Sequence, residues 1–375
     1  MLTRLQHSFG VTAEALDWMR SYISGRTQCV SVGPTTSFNA NLCCGVPQGS
    51  VLGPKLYCIY TKPVGDIVKK HNLHYHCYAD DTQISLSIKP DENWASERSA
   101  IEACVADVGG WMNRNMLKLN QEKSELIVFS SKHRIRRVND LSLTIGGRLL
   151  HAVQSVRNLG VIMDSGLTME KQVNAISKSC FYHIRNIGKV RQYITNDACK
   201  ILVQALVTSR LDYGNALLQG LPQVLNERLQ RIQNCADRLI TRSRKSEHIT
   251  PVLRELHWLP VKYRLRFNVN TFTYKVLNGL APAYTSDIVQ KHQPTRSLRS
   301  TEKSLLVVPV LRTATYGERC FSRHVAILWN DLPENIKQLN TLNSFKRHLK
   351  HISLNWHTTD VIESRSRFND IAIYQ

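Results

Sequence analysis

The segment HYHCYADDTQISLSI, residues 74–88, decides the fold class of this chain. Its second half alternates apolar and polar side chains, which is the period of a half-buried β-strand. The apolar positions there are Ile84, Leu86 and Ile88. The run Tyr75–Tyr78 supplies a partner strand, so the sequence predicts a tight β-hairpin with Asp80 and Asp81 at its tip. Two adjacent carboxylates repel each other, and bound divalent cations neutralise such a pair.

Upstream of the hairpin lies GVPQGSVLGP, residues Gly45–Pro54, which holds three glycines and two prolines in ten positions. Glycine-rich backbone can approach a ligand closely, and this loop leads into a predicted helix from Lys55. An Asp-Asp pair alone is weak evidence for a metal site. Its position on a hairpin after such a loop favours phosphoryl or nucleotidyl transfer, in which two magnesium ions activate the attacking hydroxyl and stabilise the leaving oxygen.

The charge of the chain indicates a polyanionic partner. Lysine and arginine number 49 against 29 aspartates and glutamates, which gives a net charge of +20 over 375 residues. The excess is uneven, because residues 166–375 carry 31 basic and 15 acidic side chains. Such a field attracts nucleic acid or an anionic membrane surface, although a solvated basic surface without a partner would look the same.

Composition excludes several classes of protein. No stretch approaches the roughly 18 apolar residues of a membrane helix, and the first ten residues do not form a signal peptide. The ten cysteines form no CxxC pair and no histidine pair follows at finger spacing, so we expect no structural zinc. We therefore expect an intracellular protein of the cytoplasm or nucleus, neither secreted nor membrane-bound, with reduced thiols.

Periodicity predicts an α+β protein. Predicted helices cover 11–24, 94–115, 169–191, 196–218 and 223–241, and helical spacing continues after Pro251 to about 279. Predicted strands cover 27–32, 37–42, 125–129, 141–145, 148–153, 158–163 and 305–311. The helix at 223–241 and the residue after it carry a stripe of arginines, which either contact phosphates or form a solvated basic face. These are Arg228, Arg231, Arg238 and Arg242.

The loop GVPQGSVLGP followed by YADD (Tyr78–Asp81) resembles the reverse transcriptases of non-LTR retrotransposons of the LINE and jockey type. Further similar runs are WMNRNMLKLNQEKSELIVF (111–129), NLGVIMD (158–164), RLDYGNALLQGLP (210–222), LQRIQNCADRLIT (229–241), LHWLPVKYRLRF (256–267) and ILWNDLPENIK (327–337). The resemblance implies a partial polymerase palm, an antiparallel sheet with packed helices, over 1–165. A helical thumb-like region over 166–285 and a basic, mostly helical C-terminal region over 286–375 would follow.

The resemblance also implies an activity, RNA-directed DNA polymerisation by two-metal nucleotidyl transfer. Its cofactor would be Mg²⁺ or Mn²⁺, its substrates deoxynucleoside triphosphates, and its partners an RNA template and a DNA primer. Asp80 and Asp81 would bind the metal. The nucleotide and template would meet Gly45, Pro47, Gln48, Gly49, Ser50, Tyr78 and Ala79. Lys123 or Lys118 would supply a cation, or a general acid, towards the leaving pyrophosphate, and a solvated loop lysine is the alternative for both.

One departure from the family pattern concerns the metal site. Polymerases of this type use a further aspartate on a first palm strand, which the resemblance places before a segment like Leu2–Val30. The chain is therefore expected to be N-terminally truncated, and its catalysis lost or impaired. Two alternative interpretations are compatible with the same residues. In the first, the chain is a non-catalytic, basic RNA- or DNA-binding remnant. In the second, it is an open reading frame of a decayed element without a selected function. Nothing in the sequence indicates a protein partner.

Overall fold

A computed structural model describes residues 1–46, 49–88, 94–131, 142–293, 304–311, 317 and 319–354. The chain divides into two units, Met1–Gln154 and Ser155–Gln375. The expected division into three domains at residues 165 and 285 stays a prediction. Within the described ranges, no helix combines the length and the apolar character that crossing a membrane requires.

The described residues of the first unit form four helices: α1 (Leu2–Phe9), α2 (Ala13–Ile23), α3 (Gly53–Lys70) and α4 (Ala95–Arg114). The predicted helices at 11–24 and 94–115 are thereby confirmed. The core lies between α3 and α4, where apolar side chains spaced three to four residues apart pack together. Its buried members are Val64, Val68, Leu73, Cys104, Val108 and Met112. Arg4 of α1 is fastened to this pair of helices, because it donates to Tyr60 O and Asn115 Oδ1 at 2.6 Å each.

The strands of the first unit form small, separate sheets. Near the glycine-rich loop, β1 (Thr27–Gln28) pairs with β4 (Ala40–Asn41), and β2 (Ser31–Val32) pairs with β3 (Thr35–Thr36). Further on, β5 (His74–Tyr78) pairs with β6 (Asp81–Ser85). The last sheet has the order β7-β9-β8, with β7 (Leu126–Ile127) parallel to β9 (Arg148–Val153) and β8 (Ser142–Ile145) antiparallel to it.

The unit is thus mixed α/β with small, mostly antiparallel sheets. The strand predicted at 27–32 is broken into two two-residue strands, β1 and β2, and that predicted at 37–42 is reduced to the two residues of β4. The described strands do not join into one antiparallel sheet, so the assignment of a polymerase palm and thumb stays a prediction.

The second unit opens with a hairpin of β10 (Ser155–Asn158) and β11 (Val161–Asp164). The prediction of one strand over 158–163 is wrong, because Leu159 and Gly160 have φ of 44° and 82° and reverse the chain. The strand predicted at 305–311 is also wrong, since within the described ranges this segment forms an isolated bridge between Leu306 and Lys291 and no longer ladder.

Helices make up most of the rest of the second unit. They are α5 (Glu170–Val190), α6 (Asn196–Val203), α7 (Ser209–Asp212), α8 (Gln223–Thr241), α9 (Ile249–Glu255), α10 (Val261–Leu277), α11 (Phe321–Asn330), α12 (Glu334–Lys337) and α13 (342–354). A π-helical turn, Gln204–Thr208, connects α6 to α7. The helices predicted at 169–191 and 223–241 are confirmed within a residue or so. That predicted at 196–218 is a chain of shorter helical pieces.

A buried arginine fixes the end of α8. Arg191 is only 6% exposed, and it donates to the carbonyl oxygens of Leu239 at 2.7 Å and Ile240 at 2.8 Å. It also donates to Ile194 O at 2.9 Å and to Asn196 Oδ1. The last carbonyls of a helix have no partner within it and carry partial negative charge, so a guanidinium there satisfies both needs.

Candidate active site

The structure confirms the hairpin with the two carboxylates. Tyr78 of β5 lies opposite Asp81 of β6, so Ala79 and Asp80 form a two-residue loop. Ala79 has φ of 53°, the left-handed geometry that such short hairpin loops require. Asp80 therefore lies in the turn and Asp81 at the first position of β6, and both are exposed.

Close packing holds the hairpin against α3. The Tyr75 ring of β5 covers Gly65, where an added Cβ would lie 2.1 Å from Tyr75 Oη. Lys69, one turn further along α3, places Nζ 6.0 Å from the centre of the same ring. Glycine at position 65 therefore permits a contact that any other residue would displace.

Tyr57 links α3 to the carboxylate in the turn. Burial raises the pKa of Tyr57, and the negative charge of Asp80 raises it further, followed by the thiols of Cys77 and Cys58. The charge of Asp80 thus acts on the Tyr57 side chain. Since α3 begins at Gly53, the helix that follows the glycine-rich loop also runs beside the catalytic candidates.

The glycine-rich loop is held at both of its ends. Gly45 and Gly49 have φ of 82° and 83°, which favours glycine. Gly45 O accepts a hydrogen bond of 2.5 Å from Arg26 Nη2, and the Ser50 hydroxyl is hydrogen-bonded to the Tyr22 hydroxyl. The predicted residues Pro47 and Gln48 lie outside the described residues. Helix α3 begins at Gly53, slightly before the predicted start at Lys55.

The two candidate lysines lie beyond α4. Lys123 is the last residue of a 3₁₀ turn, Gln121–Lys123. Asn120 caps this turn, because its side-chain oxygen accepts a hydrogen bond of 3.3 Å from Lys123 N. Lys118 is likewise exposed. In the described part of the chain neither ε-amino group has a hydrogen bond or an ion pair, so the choice between them stays open.

The donor set at the hairpin can be compared with what magnesium requires. Magnesium is commonly bound by one or two carboxylates together with water and substrate phosphates, and Asp80 and Asp81 fit that pattern. Among the described residues, no group of three or more His, Cys, Asp or Glu side chains could hold a metal ion. The pair therefore fits a metal shared with a nucleotide, and a two-ion site would need a further ligand.

The arginine stripe on α8 is largely occupied by contacts within the protein. Arg228 donates to Asn174 Oδ1, Arg238 donates to Glu247 O at 3.0 Å, and Arg242 donates to Arg191 O at 3.4 Å. Arg231 is exposed. These bonds give three of the four arginines a structural role, and the prediction that the stripe contacts nucleic acid stays untested.

Sequence reasoning missed three residues that the structure brings to this site: Tyr22, Arg26 and Tyr57. Tyr57 could have been found, because it lies four residues after Gly53 on the predicted helix. Tyr22 and Arg26 reach the loop through the β1–β4 pairing, a long-range contact without a local sequence signal.

Comparisons with known proteins find similarity over the part of the chain that carries both motifs. Residues 2–163 match the family model "Reverse transcriptase (RNA-dependent DNA polymerase)". A relative from Drosophila melanogaster, the RNA-directed DNA polymerase from mobile element jockey, is 27% identical over 167 residues, 43% of this chain and 17% of its own length. The probable RNA-directed DNA polymerase from transposon X-element of the same species is 29% identical over 160 residues, 42% of this chain and 17% of its own length.

A third relative extends the similarity into the second unit. The probable RNA-directed DNA polymerase from transposon BS of Drosophila melanogaster is 23% identical over 297 residues, 76% of this chain and 31% of its own length. The chain thus spans less than a third of the length of each of these relatives. No solved structure matches it. Residues 2–163 are thus similar to reverse transcriptases, and the relatives that share this similarity are RNA-directed DNA polymerases of the jockey, X-element and BS elements.

Proposed function

We propose that the Asp80–Asp81 hairpin and the Gly45–Pro54 loop form the catalytic part of an RNA-directed DNA polymerase. The observation that supports this is their shared support on α3. That helix begins at the end of the loop, and its Gly65 carries the Tyr75 ring of the hairpin. The substrates would be deoxynucleoside triphosphates, added to a DNA primer on an RNA template.

Each side chain has a role in this proposal. Asp80 and Asp81 hold Mg²⁺ or Mn²⁺, which when bound lowers the pKa of the primer hydroxyl and stabilises charge on phosphate oxygens. The loop backbone at Gly45, Gly49 and Ser50, with Pro47 and Gln48, contacts the incoming nucleotide. Tyr78 and Ala79 shape the site beside the primer end. Lys123 or Lys118 donates a proton, or presents its charge, to the leaving pyrophosphate.

Primer extension on poly(rA)/oligo(dT) with Mg²⁺ or Mn²⁺ tests the proposal. Because the metal site is expected to be impaired, we expect only slow extension by the chain, and the same rate from the control variant Asp66→Ala, which removes an exposed carboxylate from α3. The double variant Asp80→Ala/Asp81→Ala should show none. Extension that survives the double variant would contradict the proposal. A slow but Asp80-dependent reaction would agree with the expected impairment of the metal site.

A second candidate function, nucleic-acid binding without chemistry, is favoured by one face of α5. Lys178, Tyr182, Arg185 and Lys189 follow one another at helical spacing, and Tyr182 is 60% exposed. Within the described ranges the three basic side chains make no hydrogen bond or ion pair. Aromatic rings among free cations suit single strands, because bases stack on the ring while the cations meet phosphates.

The salt dependence of RNA binding tests whether the α5 face contacts nucleic acid. Replacing Lys178, Arg185 and Lys189 by glutamine should weaken binding and reduce the slope of log K against log salt by about 0.7 per lost phosphate contact. The control replaces Lys346, Arg347 and Lys350 of α13 in the same way. Equal losses in both triple variants would show that net charge alone, and not the α5 face, accounts for binding.

A further inference from the structure

We propose that Tyr22 and Arg26 are positioning residues that hold the Gly45–Pro54 loop at its two ends. The inference rests on the proposed polymerase function, because it assigns what orients the loop that meets the nucleotide. Tyr22 lies near the end of α2, and Arg26 lies between α2 and β1. Neither residue belongs to the two motifs that indicate the active site.

Arg26 holds the start of the loop. Its Nη2 donates to Gly45 O at 2.5 Å, while its Nε donates to Ile23 O at 3.0 Å and so fixes the guanidinium against the end of α2. The backbone adds a second tie, since Leu42 N donates to Arg26 O at 2.8 Å. A charged donor on the carbonyl of a left-handed glycine selects one orientation of a peptide that could otherwise adopt several.

Tyr22 holds the end of the loop. Its hydroxyl is hydrogen-bonded to that of Ser50, and Trp18, one turn earlier on α2, stacks on its ring at 5.8 Å between centroids and 7° between planes. The stacked indole restricts the rotamers of Tyr22, so the hydroxyl is presented to Ser50 in one direction. The loop ends also approach each other, because a Cβ on Gly53 would lie 3.5 Å from Val46 Cγ2.

These contacts matter because the loop is rich in glycine. Glycine gives the unbound loop many conformations, and ordering them costs free energy when a ligand binds. Anchors at both ends remove part of that cost before the nucleotide arrives. Loss of an anchor should therefore weaken nucleotide binding more than it weakens binding of the template and primer.

Hydrogen exchange of the full chain tests the anchors directly. In Tyr22→Phe and in Arg26→Met, the amides of residues 42–46 and 49–53 should exchange about fivefold faster, which is the effect of one lost hydrogen bond. The control Arg20→Met removes the same charge from an exposed position of α2, where Arg20 Nε lies 3.9 Å from Asp17 Oδ1. In the double variant Tyr22→Phe/Ser50→Ala the loop amides should exchange no faster than in either single variant, because both changes remove the same hydrogen bond.

A steady-state titration with nucleotide gives a second readout. In both variants the KM for deoxynucleoside triphosphate should rise about fivefold or more, with the Kd for template and primer unchanged. If the unaltered chain extends no primer, the polymerase proposal fails, and hydrogen exchange still decides whether the anchors exist. Unchanged loop exchange in Tyr22→Phe and Arg26→Met, or an equal increase in Arg20→Met, would overturn the inference.

Discussion

The contact between Gly65 and Tyr75 leads to a sharp prediction for Gly65→Ala. Glycine inside a helix ordinarily costs about 0.5–1 kcal/mol relative to alanine, so a Gly→Ala change there usually stabilises a protein. At position 65 the new methyl group would lie 2.1 Å from Oη and 2.3 Å from Cζ of Tyr75, far inside van der Waals contact. The Tyr75 ring must move, and overpacking of this kind costs about 1–3 kcal/mol.

The matched control is Gly109→Ala in α4. Gly109 is also inside a helix, and an added Cβ there meets nothing within 4 Å. We therefore expect Gly109→Ala to stabilise the first unit by about 0.5–1 kcal/mol and Gly65→Ala to destabilise it by a comparable or larger amount. The two substitutions should change the free energy of unfolding in opposite directions, although helix propensity alone would make both stabilising.

Native-state hydrogen exchange measures both effects in the intact chain, because it reports opening free energies for individual segments. Peptides from α3 and from the β5–β6 hairpin should lose protection in Gly65→Ala. The further change Tyr75→Val should restore much of it, since it removes the clashing atoms. If Gly65→Ala stabilises α3 as much as Gly109→Ala stabilises α4, the packing of the hairpin on α3 is wrong.

Three further predictions concern buried or shared charges. Arg191→Met should lower the free energy of unfolding of the second unit by at least about 3 kcal/mol, because it leaves buried carbonyls without a donor. Urea unfolding followed by circular dichroism measures this loss, and the exposed control Arg231→Met should change the free energy little. Burial raises the pKa of Asp237 to about 8, so the folded state keeps a proton that the unfolded state releases near pH 4. The free energy of unfolding should therefore fall as pH rises from about 4 to 8, by up to about 1.4 kcal/mol per pH unit. Asp237→Asn should remove this dependence, and equal pH profiles of the unaltered chain and the variant would contradict the prediction. Arg4→Met should lower the free energy that holds α1 against α3 and α4 by about 1–3 kcal/mol, so the amides of α1 should exchange faster. Unchanged exchange would argue against the hydrogen bonds to Tyr60 O and Asn115 Oδ1.

Local patterns predicted the elements that depend on nearby residues. Helices α2, α4, α5 and α8 were predicted within a few residues, because their apolar side chains recur at helical spacing and bury one face. The hairpin at Ala79–Asp80 was predicted for the same kind of reason, since a turn and two alternating strands lie within fifteen residues.

Predictions were wrong where a left-handed residue or a distant partner decides the outcome. The strand expected over 158–163 contains the Leu159–Gly160 reversal, and alternation of side chains does not reveal a turn of two residues. Among the described residues, the segment 305–311 forms an isolated bridge between Leu306 and Lys291 instead of the expected strand, because it has no neighbouring strand with which to form a ladder.

The sequence by itself determined the similarity of residues 2–163 to reverse transcriptases and the two motifs of the candidate site. Both motifs are contiguous runs, so their residue types and spacing can be read without a structure. The tertiary structure alone decided what supports those motifs. Tyr22 and Arg26 reach the loop across β1 and β4, and Gly65 meets Tyr75 across a helix and a strand. It also showed that Arg228 and Arg238 of α8, and Arg242 directly after it, form hydrogen bonds within the protein, while the basic side chains of the α5 face remain exposed. Such contacts join residues far apart in the chain, and packing, which local sequence does not encode, brings them together.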